Sequence, residues 1–418
     1  MQSIYSPVRS RTLIALALGI HAAVVLLACW PAARDAENTW DFASYYYAAQ
    51  AAWHGEDPYD IDELRARARS GNFHRQKDPY AHEVHPFFYP PPFPAAMGWL
   101  VPFSLHAYRI WFFICEATFI LLLAVMWLWW RGEQGSLLLI LALLAAAFSP
   151  VRDNLLLGQV NLQIVLLVLG GMWAESRGRW VLGGCLVGLA CMLKMSPALF
   201  VAWWLLQRRF KPAGAAVGFA ALSTLVCLPV LGFELQWKFY TEVMSGFVGG
   251  QYHGLRCPIL YDANHSIASV WHWVMPRTKP GLSQSARLAT MATSGAILLV
   301  MAWNFRRSRG DRLTTVAQIS AVGIAASLFP IYVFEHHLVW TLPGIVVTAL
   351  ALLNGRLGRL WLLPLAAAWG LLCLDVEWWR ALARAAGGGH LAYETKLLAA
   401  LCVLAANVWI GRPGERKS

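Results

Sequence analysis

Trp180-Val-Leu-Gly-Gly-Cys-Leu-Val-Gly-Leu-Ala-Cys-Met-Leu-Lys194-Met-Ser-Pro197-Ala-Leu-Phe-Val-Ala-Trp-Trp-Leu-Leu-Gln207 is an apolar run interrupted once, at Lys194-Met195-Ser196-Pro197. Arg179 precedes it, and Arg208, Arg209 and Lys211 follow it. Short connectors rich in Lys and Arg stay on the cytoplasmic side of a membrane. Both ends of the run therefore belong to one side, which a single crossing cannot achieve. The run reads as a hairpin of two short helices, turning where the proline ends one helix and opens the next. That reading sets the direction of every other crossing.

Working outward, the composition agrees. Of the 418 residues, 58% are hydrophobic and only 14% charged, with 22 Trp; a soluble domain averages about 25% charged residues. The net charge of +11 does not form a basic stripe interleaved with aromatics, so no nucleic-acid partner is expected. The basic residues instead punctuate apolar runs: Arg131, Arg177 with Arg179, residues 208–211, 306–312, Arg356 with Arg359, and 412–417. The charge is topology, and membrane lipids are the partners it implies. The runs themselves fall at 12–30, 107–130, 136–149, 159–174, 180–193, 196–207, 212–231, 286–304, 314–332, 338–353, 357–374 and 393–411. The expectation is one all-α polytopic membrane domain over residues 1–418, with about twelve spans and both termini inside. A cleaved signal is the competing reading of residues 12–30, but the run exceeds a signal's apolar core. Most cysteines lie in apolar runs and behave as small hydrophobes. Cys257 alone is clearly in a polar loop, and no Cys-x-x-Cys pair occurs, so neither a disulfide framework nor a metal site is expected.

Residues 31–105 form the first external loop in this topology, residues 232–284 the second, and residues 375–392 lie outside again. In the first loop, Asp41, Tyr45, Ala49 and Ala52 recur at helical spacing and residues 55–58 carry stop signals. The pattern predicts a short helix along the membrane surface. Two readings fit the acid that opens it. Asp41 can complement the helix end as a cap, or act as a general base on an acceptor hydroxyl. Asp60 or Asp62 can cap a second helix carrying Arg65, Arg67 and Arg69. Prolines from Pro86 to Pro94 predict a stiff extended path beyond it.

Ionisable groups at membrane depth are costly and are functional candidates by default. Four sets fall on the outer side here: Asp41; Arg152-Asp153-Asn154 with Gln159 and Asn161; Lys194 at the hairpin tip; and Glu335-His336-His337. Each has a plainer reading. Gln159 and Asn161 can bond between helices, Lys194 can snorkel, and the histidines can cap a helix end. Adjacent histidines point about 100° apart on a helix, so one of the two is expected to face the site, and adjacent positions do not present one tetrahedral metal face.

In order along the chain, Asp41-x-x-x-Tyr45-Tyr46, Gly55-x-x-Pro58-Tyr59, Phe88-Tyr89-Pro90-Pro91, Gly158-Gln159-x-Asn161, Leu193-Lys194-x-Ser196-Pro197, Asn264-x-Ser266 and Glu335-His336-His337 resemble glycosyltransferase family 87. The resemblance runs from about residue 38 to 345. It implies the GT-C fold and transfer of a sugar, mannose foremost, from a polyprenol-phosphate donor to a lipid-linked or glycan acceptor, with no cofactor. Asp41 matches the family's catalytic acid in the first external loop. Lys194, Arg256, His336 and His337 become candidates for the donor phosphate, and Tyr45, Tyr89, Gln159, Asn161, Asn264 and Glu335 for substrate contacts. The Phe334-Glu335 pair ahead of the histidines departs from the family, which has a Trp or another residue there. Compact loops without long Ser/Thr-rich or acidic tails favour a bacterial inner membrane, with the site on the periplasmic side. Two other classes remain open: a secondary transporter or lipid-sugar flippase, for which twelve spans is common but similar halves would be expected, and a non-catalytic assembly subunit.

Overall fold

The structure is a computed structural model that describes residues 7–30, 40–70, 84–130, 135–249, 258–275, 281–306, 311–387 and 393–412. Among these residues there is no strand. Helices α1 (Pro7–Val24), α2 (Trp40–Trp53), α3 (Ile61–Ser70), α4 (Pro92–Met97), α5 (Ala107–Trp129), α6 (Gly135–Ala147), α7 (Ser149–Leu157), α8 (Asn161–Ser176), α9 (Trp180–Leu193) and α10 (Ala198–Leu206) make the first half. The second half holds α11 (Phe210–Val226), α12 (Leu228–Lys238), α13 (Met244–Val248), α14 (Ile267–Val274), α15 (Gln284–Phe305), α16 (Arg312–Leu328), α17 (Thr341–Leu353), α18 (Leu362–Cys373), α19 (Val376–Ala385) and α20 (Thr395–Ile410). All twelve apolar runs of the sequence are helical. Three helices, Ala107–Trp129, Gln284–Phe305 and Glu335–Leu353, are long and apolar enough to cross a bilayer alone, and bent pairs raise that number to six among the described residues. Leu360, Leu363 and Leu353 stand 77–91% exposed, as leucines facing lipid should be.

The predicted hairpin is present. Helix α9 ends at Leu193, Lys194 is extended (φ −159°, ψ 138°), and Pro197 precedes α10. Glycines report the direction of the flanking helices. A Cβ on Gly183 would meet the Gly171 carbonyl at 2.6 Å and Glu175 Cβ at 3.0 Å, so α8 and α9 run antiparallel in close contact. Gly184 faces Pro212 and Ala216, and Gly188 faces Ala216 and Phe219, so α9 and α11 run the same way. The chain between them must therefore return, and α10 is that return. Small residues permit this backbone approach where lipid provides no hydrophobic drive between helices. Arg209 Nη1 lies 2.8 Å from Glu175 Oε2, which brings both basic ends of the hairpin to one face.

Three local expectations need correction. Residues 92–97 are helical despite their prolines, because Pro91 and Pro92 occupy the start of α4, where an absent N–H breaks no bond. The turn between the third and fourth runs is itself helix α7, bent 64° from the segment before it. The run 212–231 breaks at Cys227, and the next helix, with Pro229 in its first turn, leaves at 110°. Asp60 caps α3 as one of the two expected acids, its Oδ1 accepting from Asp62 N at 2.9 Å and Glu63 N at 3.3 Å.

Candidate active site

A cavity of about 590 Å³ lies at the end of the bundle where the hairpin turns. Asp41, Tyr89, Gln159, Lys194, Glu335, His336 and His337 all line it, although the segments carrying them are spread over most of the chain. Asp41 sits in the first turn of α2, so a favourable helix end and access to the cavity apply to the same carboxylate.

Beneath Asp41 lies a hydrogen-bonded aromatic layer. The Tyr45 hydroxyl donates to Gln159 Oε1 at 2.7 Å and lies 2.9 Å from the Tyr89 hydroxyl. Burial raises the pKa of both phenols, which keeps them protonated, and Asp41's charge adds to the rise at Tyr89. Gln159 is held there by Gly158, whose left-handed backbone (φ +66°) ends α7 and turns the chain back so that Gln159 N donates to Asn154 O at 3.0 Å.

Lys194 crosses the cavity wall in the turn outside α9 and α10. Its Nζ donates to Asn161 Oδ1 at 3.2 Å and stands 6.0 Å from the centroid of the Tyr89 ring. Asn161 and Asn154 both donate side-chain N–H groups to the His336 carbonyl, at 3.2 and 3.0 Å. These amides bridge helices as expected, and they also fix the opening of the histidine segment.

The expectation that one histidine faces the site is corrected: both reach the cavity, with ring centroids 4.4 Å apart. The pair opens a 3₁₀ turn, Glu335–Trp340, rather than lying along a helix flank. The helix end itself forms the wall. His337 Nδ1 accepts from Phe334 N at 2.9 Å, which leaves its Nε2 to carry the proton. His336 Nδ1 is buried and has no partner among the described residues.

Glu335 and Asn264 have different surroundings. The Glu335 Oε1 is 2.5 Å from Lys396 Nζ, and its Oε2 is 3.5 Å from His265 Nε2. Lys396 is fully buried and also donates to Leu374 O at 2.6 Å. The acid that departs from the family pattern is thus one half of a sealed ion pair. Asn264 does not line the cavity. Its amide donates to Ile259 O and Ile331 O at 2.9 and 3.0 Å and accepts from Val333 N at 2.9 Å, so it ties α14's approach to the strip that leads into the histidines. Arg256 and Cys257 lie outside the described residues.

Asp153, from the second of the four polar sets, also lines the space, and Arg380 and Glu377, which the sequence did not single out, complete it. Arg380 pairs with Glu377 at 2.6 Å and lies 4.8 Å from the Tyr261 ring centroid. Much of the remaining lining is apolar: Phe88 stacks on Phe247 with centroids 4.4 Å apart, and Phe239, Met244, Val248 and Phe329 line the cavity with them. The amphipathic pattern of residues 376–385 is a signal that could have pointed to Arg380, whereas the apolar lining gathers segments that carry no individual signal.

A helical membrane protein with a carboxylate, an amine and two imidazoles lining one cavity with apolar side chains is the class that this fold and cavity define. Within that class the chain belongs to glycosyltransferase family 87, whose model matches residues 87–330. The resemblance carried by the motifs is thereby confirmed. Over 228 residues the chain is 30% identical to a polyprenol-phosphate-mannose-dependent alpha-(1-2)-phosphatidylinositol mannoside mannosyltransferase of Mycolicibacterium smegmatis, covering 53% of this chain and 48% of the relative. It is also 30% identical over 267 residues to the corresponding pentamannoside mannosyltransferase of Mycobacterium tuberculosis, covering 62% of this chain and 57% of that protein. The chain thus spans about half to three-fifths of the length of the curated relatives it matches. No solved structure matches it significantly. The family match begins after Asp41 and ends before Glu335, so those two walls of the cavity stand on geometry.

Proposed function

We propose that the protein is an inverting glycosyltransferase of the GT-C type, with about twelve crossings, that moves mannose from a polyprenol-phosphate donor to a lipid-linked or glycan acceptor on the outer, periplasmic face of a bacterial inner membrane. The observation that carries the reading is the mixed lining of the cavity: Asp41, Lys194, His336 and His337 together with Phe88, Phe239, Met244 and Phe247. A lipid phosphate needs both kinds of group, one for its charge and one for its chain.

In this reading Asp41 takes the proton of the acceptor hydroxyl as that oxygen forms a bond to the anomeric carbon. The bond from that carbon to the phosphate oxygen breaks, and polyprenol phosphate leaves with the electron pair. Lys194 and an imidazole N–H meet the charge that grows on the leaving phosphate, Arg256 is assigned the same task, and no cofactor takes part. Tyr45, Tyr89, Gln159 and Asn161 orient these groups. The relatives' names give an alpha-(1-2) product; inversion to such a product requires a β-configured donor.

The test is release of polyprenol phosphate, followed by mass spectrometry, from polyprenol-phosphate-mannose and polyprenol-phosphate-arabinose in lipid nanodiscs supplied with a mannosylated lipid acceptor. Wild-type release that Asp41→Asn lowers by about 10²–10⁴-fold, the range for a general base, supports the assignment. An Asp41→Asn protein that folds normally and keeps full transfer sinks it.

A further inference from the structure

A second cavity, of about 610 Å³, lies at the opposite end of the bundle. Two helices connect the two. Helix α8 begins at Asn161 beside the first cavity and ends at Ser176, in the second; α16 likewise has one end at each. At ~1.5 Å per residue the 16 residues of α8 separate them by roughly 24 Å. The second cavity therefore sits at the other membrane face, among the basic connectors.

Its wall is built from Trp129, Trp173 and Trp203 with Arg177, Arg209 and Arg312. The two acids present are already neutralised: Glu175 by Arg209 at 2.8 Å, and Asp311 by Arg356 at 2.7 Å. Arg177 lies 5.5 Å from the centroid of the Trp173 ring, and among the described residues no carboxylate pairs with it or with Arg312. The cavity thus holds two cations with no carboxylate beside them among the described residues. Met172 and Ile319 line it further along the same helices, towards the bilayer centre.

We propose that this cavity binds the headgroup of an anionic phospholipid. The phosphate diester would lie between Arg177 and Arg312, with its chains descending past Met172 and Ile319. Tryptophan and arginine at the headgroup level suit such a ligand, and basic pockets between helix ends on the cytoplasmic side are where anionic headgroups bind. A soluble phosphate shares the charge but has no use for the apolar floor.

The test uses the full chain in phosphatidylcholine nanodiscs containing phosphatidylglycerol, with retained lipid counted by native mass spectrometry after detergent extraction. Wild-type protein is expected to retain phosphatidylglycerol over phosphatidylcholine. Arg177→Gln/Arg312→Gln is expected to lower that preference by roughly tenfold or more, since each basic residue near an anionic lipid contributes about a factor of five. Both arginines are exposed, so the fold should persist, and Arg179→Gln/Arg359→Gln, with the same charge change outside the cavity, should keep the preference. No preference in the wild type, or an equal loss in both double variants, overturns the proposal. Displacement of the lipid by millimolar glycerol phosphate also overturns it, by assigning the cavity to a soluble phosphate.

Discussion

Lys194 and Lys396 are both placed in the wall of the same bundle, and they differ in what surrounds their charge. Lys396 is fully buried against Glu335 at 2.5 Å and the Leu374 carbonyl at 2.6 Å. Lys194 has a neutral amide at 3.2 Å and the face of Tyr89, and it borders open space. A charge saturated by its neighbours is architecture. One left short of a counter-ion, beside a cavity, is positioned for something that arrives. The rule that ionisable residues at membrane depth mark function therefore separates into two cases, and the partner decides which applies.

The largest expected effect tests the sealed pair. Lys396→Met leaves Glu335 buried without its cation, with His265 3.5 Å away as its remaining partner, which costs about 3–5 kcal/mol; thermal unfolding in detergent should show it, and Lys396→Met/Glu335→Leu should recover most of the loss. A single variant as stable as the wild type would erase the distinction between the two lysines. Lys194→Met sharpens it from the other side. Stability should change by less than about 1 kcal/mol, while turnover of polyprenol-phosphate-mannose falls by about 10²–10³-fold, as when one preorganised donor to a developing charge is removed. If both lysines respond alike in either assay, the comparison fails.

Smaller effects probe the layer between them. Gly158→Ala would impose about 1–2 kcal/mol of left-handed strain and set its Cβ 2.9 Å from Phe42 Cβ. Its unfolding midpoint should drop and its turnover with it, because Gln159 moves with the turn. Tyr45→Phe removes the 2.7 Å hydrogen bond to Gln159 and should cost about 1 kcal/mol, with unfolding as the readout. A neutral result there would show that Tyr89 alone holds Gln159.

Much of this was legible in the chain. The hairpin was, because Arg179, Lys194 and Arg208 bracket its halves, and the period and length of the apolar runs located the helices. The gathering of Asp41, Lys194, Gln159 and the histidines followed once the crossings were counted. Lys396 was not legible: it lies within an apolar run, and its partner is 61 residues away in sequence, so only folding brings the charges together. The same holds for Asn264, whose side chain reads as a ligand candidate until three backbone partners account for it. The helical prolines of α4 show a different limit. A proline count excludes helix interiors, but it does not exclude helix starts.

The length of α10 has a consequence for the kinetics. Its nine residues rise only about 13 Å and the 14 of α9 about 21 Å, both short of a hydrocarbon core of about 30 Å. In the proposed topology the hairpin tip, and the cavity it borders, are accordingly recessed below the outer surface. A lipid-borne donor would reach the recess by diffusing sideways in the leaflet, without leaving it. Turnover would then scale with the donor's mole fraction in the bilayer, and adding inert lipid at constant total donor would slow the enzyme.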